Sequence, residues 1–130
     1  MILTNENYLK EAEKVIDNLC KDKKTGRLFH SPKITTTKLR KILSMVSEIY
    51  SDASRMRDEK LDTEMKSRLQ YLKLHIVYEE GREPVVKEFV EESKLKAALD
   101  EVEDSKSQLI IFCHYVEALV AYRKYKGNDK

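Results

Sequence analysis

Glycine and proline are scarce in this 130-residue chain, which has three glycines, two prolines and no tryptophan. A many-stranded β-fold needs a turn about every ten residues, and turns depend on glycine and proline. Their scarcity argues against such a fold and favours long helices. The chain has the usual length of one domain. We therefore predict a single all-α domain over residues 1–130.

Cysteine is also scarce, since Cys20 and Cys113 are the only two. They lie far apart, each within an apolar helical stripe, and neither has the paired spacing of a zinc site. We interpret them as reduced thiols in the core of the protein. A disulfide or a reactive thiol is the alternative.

Motifs of catalysis and of cofactor binding are missing from the sequence. It contains no Gly-rich phosphate loop and no His-Glu-x-x-His. His75 and Glu79 are one helical turn apart, but two ligands make no metal site, and a polar pair on a helix surface is favoured. The adjacent Cys113 and His114 point in different directions on a helix, which rules out a nucleophile and its base. We predict no enzyme, no cofactor and no metal.

Long apolar runs are absent too. The most apolar stretch, residues 109–122, is interrupted by His114 and Glu117 and is too short to span a bilayer. The first residues lack the basic and apolar regions of a signal peptide. We therefore expect a cytoplasmic protein.

Apolar residues do recur at spacings of three and four, which predicts about five helices. The first covers about residues 5–21. The second covers about residues 35–60, beginning with a threonine cap and closing with a charged run. The others cover about residues 62–81, 84–102 and 105–126. Asp62 is a candidate cap, Gly81 and Gly127 are candidate stops, Pro84 suits a first turn, and a bend is expected near Ser93.

Two of these helices carry apolar residues over more than one face. Residues 109–122 are apolar nearly all round, which is typical of a buried helix. We predict a compact bundle with this C-terminal helix at its centre. In the third helix, Tyr71, Leu74, Val77 and Tyr78 widen the apolar surface, so we expect this helix to be covered on more than one side.

The net charge is only +2, but it is unevenly distributed. Residues 21–41 hold eight basic residues against Asp22, a net of +7, and residues 79–104 hold ten acidic against four basic residues, a net of −6. Residues 21–34 are predicted to form a basic, flexible loop. Such a distribution suits an anionic partner on one face and a protein partner on another, or else a merely solvated surface.

Two groups of basic residues are candidate phosphate contacts. Lys38 and Lys41 lie a turn apart near a helix start, with Arg40 beside them. Arg123 and Lys124, followed by a further lysine, end the last helix. Such side chains neutralise phosphates without recognising bases. For the C-terminal group, a favourable interaction with the helix dipole is the alternative.

Several segments, taken in order, resemble one known family. Residues 34–40, Ile-Thr-Thr-Thr-Lys-Leu-Arg, resemble its Leu-Thr-Thr-Ser-Lys-Ile-Arg opening. Residues 78–83, Tyr-Glu-Glu-Gly-Arg-Glu, look like its Tyr-Glu-Ala-Gly-Arg-Glu segment. Residues 112–122, Phe-Cys-His-Tyr-Val-Glu-Ala-Leu-Val-Ala-Tyr, match its closing helix. This family is the small subunit of type III-A CRISPR effector (Csm) complexes.

The resemblance implies a non-catalytic subunit that is present in several copies along a guide RNA–protein filament. The copies would associate head to tail and contact the backbone and large subunits of the complex. They would bind the backbone of the target RNA and of its duplex with the guide RNA. A spacer that contacts only neighbouring protein subunits is the alternative.

Six basic residues follow by position from this resemblance as RNA-backbone contacts. They are Lys38, Arg40, Lys41, Arg82, Arg123 and Lys124. Arg82 has a competing structural interpretation, because an arginine after a helix-ending glycine can bind the carbonyls of that turn. Glu80 departs from the family pattern, in which alanine stands, and adds a negative charge near a proposed contact.

Overall fold

The computed structural model describes residues 3–21, 25–27 and 32–126. Within these ranges the chain forms six helices and no β-strand, with one isolated antiparallel bridge between Lys60 and Ser105. The helices are α1 (Tyr8–Leu19), α2 (Thr36–Ser54), α3 (Thr63–Arg82), α4 (Pro84–Ser93), α5 (Leu95–Asp100) and α6 (Lys106–Lys126). The predicted all-α class is confirmed.

The predicted starts of α2, α3 and α4 have local causes in the sequence. The Thr35 hydroxyl accepts a hydrogen bond from the Lys38 amide at 3.3 Å, and the Asp62 carboxylate accepts one from the Met65 amide at 2.8 Å. Each satisfies an amide that has no partner within its helix. Pro84 occupies the first turn of α4, where its missing N–H costs nothing. The predicted stop at Gly81 is wrong by one residue, because α3 continues to Arg82.

The bend expected near Ser93 is a complete break, which is why there are six helices. Lys94 adopts the left-handed conformation, with φ of 53° and ψ of 38°, and separates α4 from α5. The buried hydroxyl of Tyr115 on α6 donates a hydrogen bond to the Ser93 carbonyl at 2.8 Å. This bond satisfies one of the carbonyls that α4 leaves unpaired at its end.

Helix α6 packs against α1, α2 and α5. Gln108 donates to the Leu3 carbonyl at 3.1 Å, and the Lys126 ammonium lies 2.8 Å from Asp17, so α1 runs parallel to α6. Ten side chains of α6 are buried, among them Phe112. Burial of a large apolar side chain contributes about 1.5–3 kcal/mol to folding.

Helix α2 runs antiparallel to both α6 and α3. Arg123 near the end of α6 donates to the Ile34 carbonyl, just before α2 begins. Asp52 near the end of α2 pairs with Arg68 of α3 at 2.7 Å. One end of the molecule therefore gathers the start of α2, the junction between α3 and α4, and the ends of α1 and α6.

The two cysteines are buried, as the sequence predicts. Cys20 and Cys113 are both buried and free, and burial raises the pKa of Cys113 to about 12. Within the described ranges, no helix combines the length and apolarity that crossing a bilayer requires. Part of the predicted basic loop at residues 21–34, namely residues 22–24 and 28–31, lies outside the described residues, as does the stop at Gly127.

Candidate nucleic-acid interface

The start of α2 presents two of the predicted contacts on one side of the helix. Lys38 and Lys41 are three residues apart and therefore lie about 60° apart around the axis. Lys41 is exposed and Lys38 is half-buried. Arg40 is also exposed, but it lies about 160° from Lys38 around the helix. The first turns of α2 therefore present basic side chains on two sides.

Glu83 lies at the junction between α3 and α4 and faces the start of α2. Its carboxylate forms a hydrogen-bonded ion pair with the Lys38 ammonium, with 31% of the Glu83 side chain and 36% of the Lys38 side chain exposed. The hydrogen bond from Lys38 is the main reason why the pKa of Glu83 is lowered, and the charges of Lys38, Arg82 and Lys41 lower it further. One predicted contact therefore pairs with Glu83, and the charges of two others act on it. We call Lys38, Lys41, Arg82 and Glu83 the Glu83 cluster.

Arg82 precedes Glu83 and is exposed. Its guanidinium lies 3.3 Å from the Glu79 carboxylate, one turn earlier in α3, and 5.7 Å from the centre of the Tyr78 ring. The Arg82 side chain is 50% exposed, whereas the Glu79 side chain is only 12% exposed. Moving Arg82 to another anion therefore leaves a largely buried carboxylate without this partner, which has a cost in stability.

The expectation that Arg123 lies at the surface is wrong. Arg123 is only 2% exposed, and its Nε donates to the Ile34 carbonyl 89 residues away. Its guanidinium joins the end of α6 to the segment before α2. Lys124 is exposed at the same end of the molecule, whereas Lys126 pairs with Asp17 of α1.

Part of the acidic charge in residues 79–104 is compensated within the chain. Glu80, which is largely buried, pairs with Lys96 of α5 at 2.9 Å, and Asp100 pairs with Lys73 of α3 at 2.8 Å. The Glu92 carboxylate accepts a hydrogen bond from the side-chain Nδ2 of Asn18 at 3.1 Å. The negative charge that Glu80 adds is therefore directed at Lys96. These pairs join α3 to α5 and α1 to α4, so part of the acidic segment serves the fold.

The outer face of α3 is exposed, which corrects the expectation that this helix is covered on more than one side. The exposed fractions are 65% for Tyr71, 61% for Leu74, 45% for Val77 and 60% for Tyr78. We call these four residues the α3 stripe. A groove of about 580 Å³ borders the stripe between α2 and α3, with Tyr71 in its wall. A monomer rarely exposes a contiguous apolar patch of this kind without using it for binding.

The candidate metal ligands and catalytic residues are His75, Glu79, Cys113 and His114, and the fold gives each of them a structural environment. His75 borders the groove, and Glu79 pairs with Arg82 rather than with His75. The centre of the His114 ring lies 5.3 Å from the centre of the Tyr50 ring, and Cys113 is fully buried. In the described part of the chain, no three His, Cys, Asp or Glu side chains come together as a metal site would require.

Sequence reasoning missed Glu83 and the exposure of the α3 stripe. Glu83 is 45 residues from Lys38, and nothing in the local sequence indicates which acid would reach that lysine. The stripe was recognised as apolar, but periodicity does not distinguish a face covered within the chain from a face left for a partner.

Comparison with known proteins assigns the class. A family model described as Csm2 Type III-A matches residues 10–129. The "CRISPR system Cms protein Csm2" of Mycobacterium tuberculosis (strain CDC 1551 / Oshkosh) is 41% identical over 125 residues, which cover 96% of this chain and 95% of the relative. The Streptococcus thermophilus protein of that name is 41% identical over 127 residues, covering 98% and 97%. That of Enterococcus italicus is 36% identical over 94 residues, covering 71% and 67%.

The helical fold and these matches define a small subunit of a type III-A CRISPR system. The resemblance noted in the sequence is confirmed over nearly the whole chain. The chain belongs to the Csm2 family.

Proposed function

We propose that this chain is a non-catalytic, cytoplasmic subunit of a type III-A effector complex and binds the backbone of the target RNA and of its duplex with the guide RNA. Several copies associate head to tail and contact the backbone and large subunits. Sequence is recognised by guide pairing, and the protein contributes backbone contacts, as in other guided effectors.

The observation that carries this proposal is the concentration of basic side chains at one end of the molecule. Lys38 and Lys41 lie on α2 and Arg82 ends α3, and the charges of all three act on Glu83. Arg40 is exposed in the same turns of α2, and Lys124 is exposed at the end of α6, beside Arg123. Exposed basic side chains grouped in this way neutralise phosphates without recognising sequence.

The burial of Arg123 changes its place in the proposal. A guanidinium that is 2% exposed does not reach a phosphate without rearrangement of the fold. We therefore omit Arg123 from the contacts and assign it to the packing of α6. With its buried residues, α6 is proposed as the central helix of the bundle.

The proposal is tested by replacing Lys38, Arg40 and Lys41 together with alanine in the assembled complex. Each lost phosphate contact reduces the slope of log K against log salt by roughly 0.7 for single-stranded RNA. We expect weaker target binding and a shallower slope, measured by titrating labelled target RNA at 50 and 200 mM salt. Equal affinity and slope in the variant and the parent complex would contradict the proposal.

A matched control removes the same charge elsewhere. Lys10, Lys14 and Lys66 are exposed, and none of them belongs to the Glu83 cluster, since the first two lie on α1 and the third lies at the start of α3. Replacing these three with alanine should leave both the affinity and the slope close to those of the parent complex. A loss of the same size in the control would show that only net charge matters.

The α3 stripe favours the second candidate function, a spacer that contacts neighbouring protein subunits. Four large apolar side chains on one exposed helix face are suited to burial against protein. The two surfaces adjoin where Arg82 lies over the Tyr78 ring, and the rest of the stripe extends away along α3, so one subunit can perform both functions. If the basic variant binds RNA normally and variants of the stripe fail to assemble, the chain is a spacer alone.

A further inference from the structure

Glu83 holds the half-buried lysine of the proposed RNA surface in an ion pair. The Lys38 ammonium donates a hydrogen bond to the Glu83 carboxylate, and both side chains are about two-thirds buried. An RNA phosphate that binds Lys38 must compete with this carboxylate.

The backbone fixes Glu83 in this position. Glu83 lies between α3 and α4. Its backbone amide donates to the Glu79 carbonyl at 3.1 Å, and its backbone carbonyl accepts from the Val86 and Lys87 amides at 3.1 Å. These bonds belong to the ends of two helices, so the carboxylate cannot leave the start of α2 by movement of a free loop. Displacement requires rotation of the side chain alone.

Lys38 pairs with the Glu83 carboxylate, and among the described residues no other side chain forms an ion pair with it. Besides Lys38, the charges of Arg82 and Lys41 act on it. The four residues of the cluster therefore carry a formal charge of +2 rather than the +3 that the basic residues alone would present. A carboxylate in this position binds the lysine that a phosphate of an RNA backbone would bind.

We propose that Glu83 is an intramolecular competitor for RNA phosphate. It weakens the binding of a lone subunit to nucleic acid, so that stable RNA binding requires a complex in which several copies act together. This inference rests on the proposed RNA-backbone function and names a residue that lowers the affinity of the subunit for RNA. One subunit then holds RNA weakly, whereas linked copies bind tightly because their contacts combine.

The physical consequence is a change in both affinity and salt dependence. A carboxylate within about 4 Å of a cation site opposes an incoming phosphate and lowers its affinity by about fivefold in a water-like dielectric. One additional free cation also increases the steepness of log K against log salt by roughly 0.7 for single-stranded RNA. A residue that only supports the fold would not change this slope.

The test compares Glu83→Gln with the parent full-length chain. Binding of a fluorescent 40-nucleotide RNA is measured by anisotropy at several salt concentrations, and elution from a heparin column provides a second measure. We expect about fivefold tighter binding at 50 mM salt, a steeper slope and elution at higher salt. Glu83→Asp, which keeps the charge, should bind more like the parent chain.

Glu48→Gln is the matched control, because it removes the same charge from an exposed position on the same helix as Lys38. The two positions are about 15 Å apart along the axis, which exceeds the screening length of about 8 Å at physiological salt. If Glu83→Gln and Glu48→Gln give the same slope and the same elution, the inference is overturned.

The failure of this inference differs from the failure of the proposed function. If the variant of Lys38, Arg40 and Lys41 loses RNA binding while Glu83→Gln behaves like Glu48→Gln, the surface binds RNA and Glu83 does not compete. If the basic variant retains parental binding, the proposed function itself fails. Circular dichroism of each variant checks that the helices remain.

Discussion

Buried polar side chains of α6 reach carbonyls that are far away in the sequence. Gln108 donates to Leu3, Tyr115 to Ser93 and Arg123 to Ile34, across 105, 22 and 89 residues. Each carbonyl lies outside a helix or at the end of one, where no intrahelical partner is available. A buried carbonyl without a partner is costly, so these three side chains hold α6 against the segments before α1 and α2 and against the end of α4.

Replacing Tyr115 with phenylalanine tests this role. The change removes only the hydroxyl and leaves the Ser93 carbonyl buried without its donor. We expect the free energy of unfolding to fall by about 1–2 kcal/mol, measured by urea denaturation. Tyr125→Phe is the control, because Tyr125 is 80% exposed and should change stability by less than about 0.5 kcal/mol. Equal stability of the two variants would contradict the prediction.

The sequence predicts such residues only in part. Thr35, Asp62 and Pro84 were identified because a cap or a first-turn proline acts within three or four residues of its own position. Arg123 and Glu83 were not, since their partners are brought close only by the packing of helices. Arg123 resembled a surface cation in sequence, and its burial follows from the antiparallel packing of α6 on α2.

At the scale of elements, the segment between α2 and α3 holds the start of α6. Glu59 accepts hydrogen bonds from the hydroxyls of Ser105 and Ser107, both at 2.7 Å, and from the Ser107 amide at 3.1 Å. The Glu59 carbonyl accepts from the Lys106 amide at 2.7 Å. An anionic acceptor here satisfies amides of the first turn and interacts favourably with the helix dipole.

This arrangement predicts a pH-dependent contribution to stability. The hydrogen bonds from Ser107 and then Ser105 lower the pKa of Glu59 from its ordinary value of 4.5. A group whose pKa is lowered by folding stabilises the folded chain above its unfolded pKa, and this contribution is lost as the pH falls through the folded pKa. Glu59→Gln should therefore be less stable than the parent chain at pH 7, and the difference should shrink below about pH 4.5.

Urea denaturation of both chains between pH 3 and pH 7 measures the difference. Glu13→Gln, at an exposed position on α1, serves as the control for the loss of one carboxylate. A difference that stays constant across this pH range would show that Glu59 does not act through its charge. The local sequence offers no signal for this contact, because 48 residues separate Glu59 from Ser107.

At the scale of the whole molecule, the basic surface and the apolar surface adjoin at the end of α3. The Glu83 cluster lies where α2 begins and α3 ends, and the α3 stripe extends from there along the outside of α3. The helical class and most helix bounds were predictable, since they follow from periodicity and local caps. Which apolar face stays exposed was not, because that depends on how the helices pack.

The α3 stripe predicts a contact needed for assembly. Replacing Tyr71 and Tyr78 with serine removes two large side chains that are 65% and 60% exposed, so the isolated chain should keep its fold. Each would contribute about 1.5–3 kcal/mol if buried against a partner, so incorporation should weaken about tenfold or more. Co-purification with the other subunits of the complex measures the effect. Tyr125→Ser is the control for loss of an exposed tyrosine, and normal incorporation of the double variant would contradict the assignment.

The position of α6 after the other five helices has a consequence for biosynthesis. α1 and α2 both pack against α6, and the two hydrogen bonds that Leu3 and Ile34 accept come from its side chains. During translation these two helices leave the ribosome before their packing partner has been made. Their apolar faces therefore stay uncovered by α6 until residues 106–126 emerge, and chaperones are able to bind the nascent chain during this interval.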